Sequence, residues 1–177
     1  MTDDRYLKLR PFPAPPADEL CACQEIEALA LCYVFYSRNP LRCLSCNNEV
    51  PPERLDLTPA MVDSLASWAS FYGCFYLLWL ESGEFETWAR QQLTDPRSPA
   101  NERGLAVCGR LSEIKPCYFW WFEETVDEDY QPLSACPRCG APLAERPSPS
   151  PPGGKSVERE SSFRRLVCEP CRIVVCN

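Results

Sequence analysis

Cys136-Pro137-Arg138-Cys139-Gly140, answered by Cys168-Glu169-Pro170-Cys171, are the stretches on which the reading of the fold turns. Cysteines separated by two residues sit on a tight turn that aims both thiolates at one point. Two such turns complete the tetrahedral shell that Zn²⁺ takes from sulfur. Gly140 follows the second sulfur of the first pair, where a positive φ suits such a turn. The 28 residues between Cys139 and Cys168 exceed the usual short finger spacing. Much of the excess is Pro147-Ser148-Pro149-Ser150-Pro151-Pro152-Gly153-Gly154, which reads as a solvated loop. Residues 162–167 and 172–176 flank the second knuckle, and Val167, Ile173, Val174 and Val175 supply β-branched residues for a hairpin. The expectation is a C-terminal zinc ribbon over residues 131–177, with one structural Zn²⁺ on Cys136, Cys139, Cys168 and Cys171. Four thiolates close the shell, so the metal holds shape and does no chemistry; iron is the alternative ion at such a site.

The rest of the composition sets bounds. A chain of 177 residues suits one domain with a small metal module. Its 13 cysteines, an odd number with Cys-x-x-Cys spacing, argue against a simple disulfide framework and for a reducing cytoplasm. Met1-Thr2-Asp3-Asp4-Arg5 has no basic region leading into an apolar one, so no secretory signal is expected. The longest apolar run, residues 71–80, is about half of the ~20 residues a membrane span needs, so no membrane partner is expected. There is no histidine. That removes Ser-His-Asp and Cys-His catalysis, His-ligated catalytic zinc and imidazole proton transfer. Glu81, Glu84, Glu123 and Glu124 lie near aromatic segments, but no spacing singles out a catalytic pair, and the chain reads as non-catalytic.

Working outward from the ribbon, the fold class is α+β: an aromatic-rich helix and strand body over 25–130, preceded by a Pro-rich arm over 1–24. With prolines at 11, 13, 15 and 16, the arm reads as a flexible lead-in in preference to a strap packed by Tyr6, Leu7, Leu9 and Phe12. Residues 28–36 read as a buried strand ended by Asn39-Pro40. Thr58-Pro59 starts a helix by cap and proline. Met61, Leu65, Trp68, Tyr72, Phe75 and Trp79 then form one continuous core-facing stripe. Residues 85–93 resume a helix, and Ser98-Pro99 repeats the start signal for one that carries Leu105, Cys108 and Leu111. Residues 117–122 read as a strand buried on both faces, and the acidic run 123–129 as a solvated linker.

A third pair, Cys43-Leu44-Ser45-Cys46, is followed by Asn47, which tolerates the left-handed turn. Without histidine, a second Zn²⁺ here must recruit Cys74, Cys108, Cys117 or an acid; Cys74 and Cys108 are the expected partners because both can face the core. The alternatives are buried thiols acting as small hydrophobes, or a redox dithiol, for which a βαβ setting is not evident. Cys21, Cys23, Cys32 and Cys176 receive no role.

One resemblance covers about four-fifths of the chain. In order, it is carried by Pro40-Leu41-Arg42-Cys43-Leu44-Ser45-Cys46, Val50-Pro51, Ser67-Trp68-Ala69-Ser70-Phe71-Tyr72-Gly73-Cys74 and Gln91-Gln92-Leu93-Thr94-Asp95-Pro96-Arg97-Ser98-Pro99, then by the two ribbon knuckles. This succession resembles a family of uncharacterised bacterial zinc-ribbon-containing proteins regarded as candidate nucleic-acid binders. The chain departs from that pattern at the front, where the resemblance implies a longer N-terminal portion, and in its Pro/Ser-rich ribbon loop. Two functions follow as expectations. One is binding of RNA or single strands through Arg138, Arg159, Phe163, Arg164, Arg165 and Arg172. Residues 136–177 carry +3 and residues 1–135 carry −10, a mildly basic ribbon on an acidic body. The other is a protein-interaction module (an adaptor, inhibitor or toxin antidote) in which the acidic body steers a basic partner and the Pro-rich segments dock.

Overall fold

Three α-helices and a six-stranded sheet make up the described part of the chain, residues 4–124, 130–146 and 165–176 of this computed structural model. In chain order these are β1 (Leu29–Leu31), β2 (Leu41–Cys43), α1 (Pro59–Glu81), α2 (Glu86–Thr94), α3 (Pro99–Leu111), β3 (Cys117–Trp120), β4 (Ala144–Arg146), β5 (Arg165–Cys168) and β6 (Ile173–Cys176). The sheet runs β2-β1-β3-β6-β5-β4. Its middle pairs, β1–β3 and β3–β6, are parallel, and the outer pairs are antiparallel. A parallel neighbour requires a long crossover, and the three helices supply it between β2 and β3. The protein is mixed α/β.

The helix starts follow from local chemistry. Thr58 Oγ1 accepts the Met61 N–H at 3.3 Å, and Ser98 Oγ accepts the Asn101 N–H at 3.2 Å, each ahead of a proline whose missing N–H is no loss there. Along α1, Met61, Leu65, Trp68 and Tyr72 are buried, and Phe75 and Trp79 continue the stripe half-buried. Alternation along the strands sorts the sheet into two faces. Leu29, Leu31, Phe119, Ile173 and Val175 join the helices in the main core; Ala28, Ala30, Tyr118, Val167 and Val174 form a smaller cluster. Trp68 ties the layers together. Its ring lies edge-on to Phe119 at 5.9 Å, and its Nε1 donates to the Ala100 carbonyl at 3.3 Å.

Three features depart from the sequence reading. The arm is packed over its described residues: Tyr6 and Leu9 are buried, Lys8 Nζ lies 2.6 Å from Asp63, and Arg10 lies 3.3 Å from Glu53, although Leu7 and Phe12 remain exposed. Proline content argued for solvation, but a 3₁₀ turn over Asp4–Leu9 places the two apolar groups on one side. The first strand is also short. Cys32 N–H still reaches the Pro40 carbonyl at 2.9 Å, but Pro40 has no N–H to return, so the ladder stops and Phe35 and Tyr36 are exposed. Finally, the C-terminal hairpin is continuous with the body. Phe119 pairs with Ile173 and Trp120 with Val174. Cys117, Tyr118 and Phe119 are all buried, so β3 needs a strand on each side, and β1 and β6 provide them.

Candidate metal centres

Two loops and a strand end build the C-terminal centre. Cys136 and Cys139 lie on the turn before β4, Cys168 ends β5, and Cys171 lies on the β5–β6 turn. Their four sulfurs all lie within 4.8 Å of one another, with Cys139 and Cys168 at 3.6 Å. A tetrahedron with Zn–S of 2.3 Å has edges of about 3.8 Å, whereas a disulfide is close to 2.05 Å. The group could therefore hold a metal ion. The turn is shaped for it: Gly140 N–H donates to the Cys136 carbonyl and Cys136 N–H to the Ala141 carbonyl, both at 2.8 Å. Gly140 has φ 72° and Arg172, in the same place on the second turn, φ 53°.

The electrostatics suit a cation. The Ala141 N–H, then the Cys171 and Cys168 thiols, hydrogen-bond to Cys139 and bring it down to about 7. Burial and the neighbouring sulfurs push Cys171 up, and burial pushes Cys168 up. Zinc takes cysteine as thiolate, so metal uptake at such a set is coupled to loss of thiol protons.

A second set of four cysteines gathers beside β2: Cys21, Cys23, Cys43 and Cys46, again with every sulfur within 4.8 Å of the others. This group too could hold a metal ion. The Cys46 thiol and the Cys46 and Ser45 N–H groups hydrogen-bond to Cys43 and pull it down to about 4 against the opposing effect of burial; Cys46 is pushed up in return. The partners are not those expected from sequence. Cys74 is exposed on α1, its thiol turned back to the Ser70 carbonyl at 3.3 Å, because it lies off the buried stripe. Cys108 is buried, as its helical spacing implies, but it meets Cys117 at 3.4 Å instead of Cys43. Cys21 and Cys23, left without a role, take their places; an x-spaced pair ahead of a Cys-x-x-Cys was the available signal.

The expected nucleic-acid contacts divide. Arg138 and Arg172 are exposed, each next to a cysteine of the C-terminal centre. Arg165 is buried in β5, and Arg159, Phe163 and Arg164 lie outside the described residues. Sequence reasoning missed Arg146 and Tyr118. The Arg146 and Arg172 guanidinium carbons lie 5.2 Å and 5.6 Å from the Tyr118 ring centroid. Arg146 donates to the Tyr118 hydroxyl at 2.7 Å, and that hydroxyl donates to Glu169 at 2.6 Å. No family model, curated protein or solved structure matches the chain. The family resemblance therefore rests on the motifs quoted above. Among the described residues, no helix is long and apolar enough to cross a membrane.

Proposed function

We propose that this is a non-catalytic zinc protein whose C-terminal tetrad holds one Zn²⁺ in a ribbon and whose ribbon surface binds single-stranded nucleic acid, RNA included. The observation that carries the reading is the placement of arginine around that tetrad. Arg138 and Arg172 each adjoin a ligand cysteine, and Arg146 shares the Tyr118 ring with Arg172. Three guanidiniums beside one closed centre can follow a phosphate backbone, and the metal's role is to hold the two turns that present them. Four thiolates on Zn²⁺ carry −2 together, and Glu169 lies 3.7 Å from Arg146, so affinity comes from few contacts.

Fluorescence anisotropy with a labelled single-stranded oligoribonucleotide tests this. Three phosphate contacts give a slope of log K against log salt of about −2. The double variant Arg138→Ala/Arg172→Ala should lose most of the binding. No binding by the intact chain at ~20 mM salt rejects the reading. A second reading, recruitment of a basic protein, is favoured by the exposed Leu77, Leu80, Phe85 and Trp88 at the α1–α2 junction, set among the exposed acids Glu81, Glu84 and Glu86. Co-purification of a stoichiometric basic protein without nucleic acid distinguishes it.

A further inference from the structure

The geometry points to a second metal site, a tetrathiolate Zn²⁺ centre on Cys21, Cys23, Cys43 and Cys46 that clasps the N-terminal arm to the β2 edge of the sheet. It shares no ligand with the C-terminal centre and does not depend on what the ribbon binds.

The Cys43/Cys46 turn repeats the Cys136/Cys139 turn bond for bond. Cys43 N–H donates to the Asn48 carbonyl at 2.9 Å, as Cys136 N–H does to Ala141 at 2.8 Å. Asn47 N–H donates to the Cys43 carbonyl at 2.8 Å, as Gly140 N–H does to Cys136 at 2.8 Å. The residue after the second cysteine is left-handed in both, φ 65° at Asn47 and 72° at Gly140. In both, the N–H two residues beyond the second cysteine, of Asn48 or Ala141, hydrogen-bonds to its sulfur. For a non-glycine residue a positive φ is uncommon, and asparagine is among the few that accept it. A pair of cysteines serving only as core filling has no need of this backbone.

The other two ligands need a different device. In an extended chain, Cys21 and Cys23 would point the same way but along parallel lines, not toward one point. Here the Arg54 guanidinium fills the inside of the bend, donating to the Cys21 carbonyl at 2.7 Å and to the carbonyls of Cys23 and Gln24. Cys21 N–H is held by the Glu49 carbonyl at 2.8 Å, and Asn48 Nδ2 reaches the carbonyls of Asp18 and Leu20 at 2.9 Å and 3.3 Å. The segment is thereby fixed against the turn it faces, and Cys23 Sγ lies 4.0 Å from Cys43 Sγ, near the edge of a zinc–thiolate tetrahedron. Cys108 and Cys117 offer the contrast. They touch at 3.4 Å, yet among the described residues they belong to no group of three or more potential ligands. Zn²⁺ fits four thiolates in a closed shell, and its charge offsets thiolates that are otherwise costly to bury.

Elemental analysis of the full chain, purified under reducing conditions, should find two zinc ions per chain. Cys23→Ser and Cys46→Ser should each leave one, Cys74→Ser should leave two, and Cys139→Ser should leave the one held by this site. If a serine variant does not fold, two others keep the question open to refutation. Cys23→His should retain both metals and, after Co²⁺ replacement, weaken the thiolate-to-metal absorption of one site only. Arg54→Met keeps every ligand but loosens the bend, and should weaken metal binding here by roughly 10–100-fold, as loss of an outer-shell partner does, with the C-terminal site unchanged. Two zinc ions retained by both Cys23→Ser and Cys46→Ser would overturn the site. So would a native chain with a disulfide among these four cysteines, or a single zinc abolished by Cys139→Ser.

Discussion

Gly104 sits where α3 crosses the sheet, and there is no room there for even a methyl group. A Cβ at this position would lie 2.2 Å from Cε2 of Phe119 and 2.8 Å from Nε1 of Trp68, both rings held by other contacts. Gly104→Ala should therefore destabilise the protein by about 1–3 kcal/mol despite its better helix propensity, read as a lower urea midpoint at unchanged slope. The sequence showed the face of α3 only approximately. Cys108 and Leu111 are buried as their spacing implied, but Leu105 is half-buried, and Asn101, Gly104 and Val107 carry the contact. A glycine chosen for close approach leaves no mark in a hydrophobic pattern, because its reason is a ring over a dozen residues further along the chain. Asn101 is equally silent. Its Nδ2 satisfies the carbonyls of Leu93 and Asp95 at 2.9 Å each, stitching the end of α2 to the start of α3.

Among the elements, α1 packs against both other helices and the N-terminal 3₁₀ turn and, through Trp68 and Tyr72, against Phe119 of β3. Trp68 alone contacts Tyr72, Phe119 and the Ala100 carbonyl, so Trp68→Ala should cost about 3–5 kcal/mol, measured by equilibrium denaturation with tryptophan-independent circular dichroism. This element was legible from its cap, its proline and its stripe, all local signals. So were α2, α3 and β3 as elements. What local signals could not supply was pairing. Nothing near residues 117–120 says that their second neighbour is 173–176, and that pairing makes the C-terminal hairpin part of the body's sheet. The candidate site divides the same way. The sulfurs of Cys136, Cys139, Cys168 and Cys171 converge where matched spacing implied. The company of Cys43 and Cys46 comes instead from an earlier segment whose carbonyls Arg54 holds; the Cys21-x-Cys23 spacing marks that segment but does not say which turn it faces.

In the molecule as a whole, the two cysteine tetrads lie on different flanks of one sheet, at the end of β2 and at the β5–β6 turn, with β1 and β3 between them. The arm belongs to the first flank. Besides Cys21 and Cys23, it contributes Leu9, fully buried, and Tyr6, whose hydroxyl donates to the Leu55 carbonyl at 3.4 Å. A chain beginning at Gln24 should hold one zinc ion fewer and unfold at lower urea, since removing the Leu9 side chain alone is worth about 2–5 kcal/mol. A merely solvated lead-in would leave both zinc content and midpoint where they were.

The placement of β6 also orders the protein's biosynthesis. Among the described strands it comes last in sequence, yet it lies between β3 and β5. On the ribosome, β1, β2 and the helices can assemble with β3 while its far edge, bearing Phe119 and Trp120, still awaits residues 173–174. At translation rates of 5–20 residues per second, that edge stays open for about 3–10 s. An uncovered strand edge of this composition is a template for pairing with other chains. Newly made protein is therefore most exposed to misassembly, and most in need of a chaperone, in the interval before the hairpin arrives.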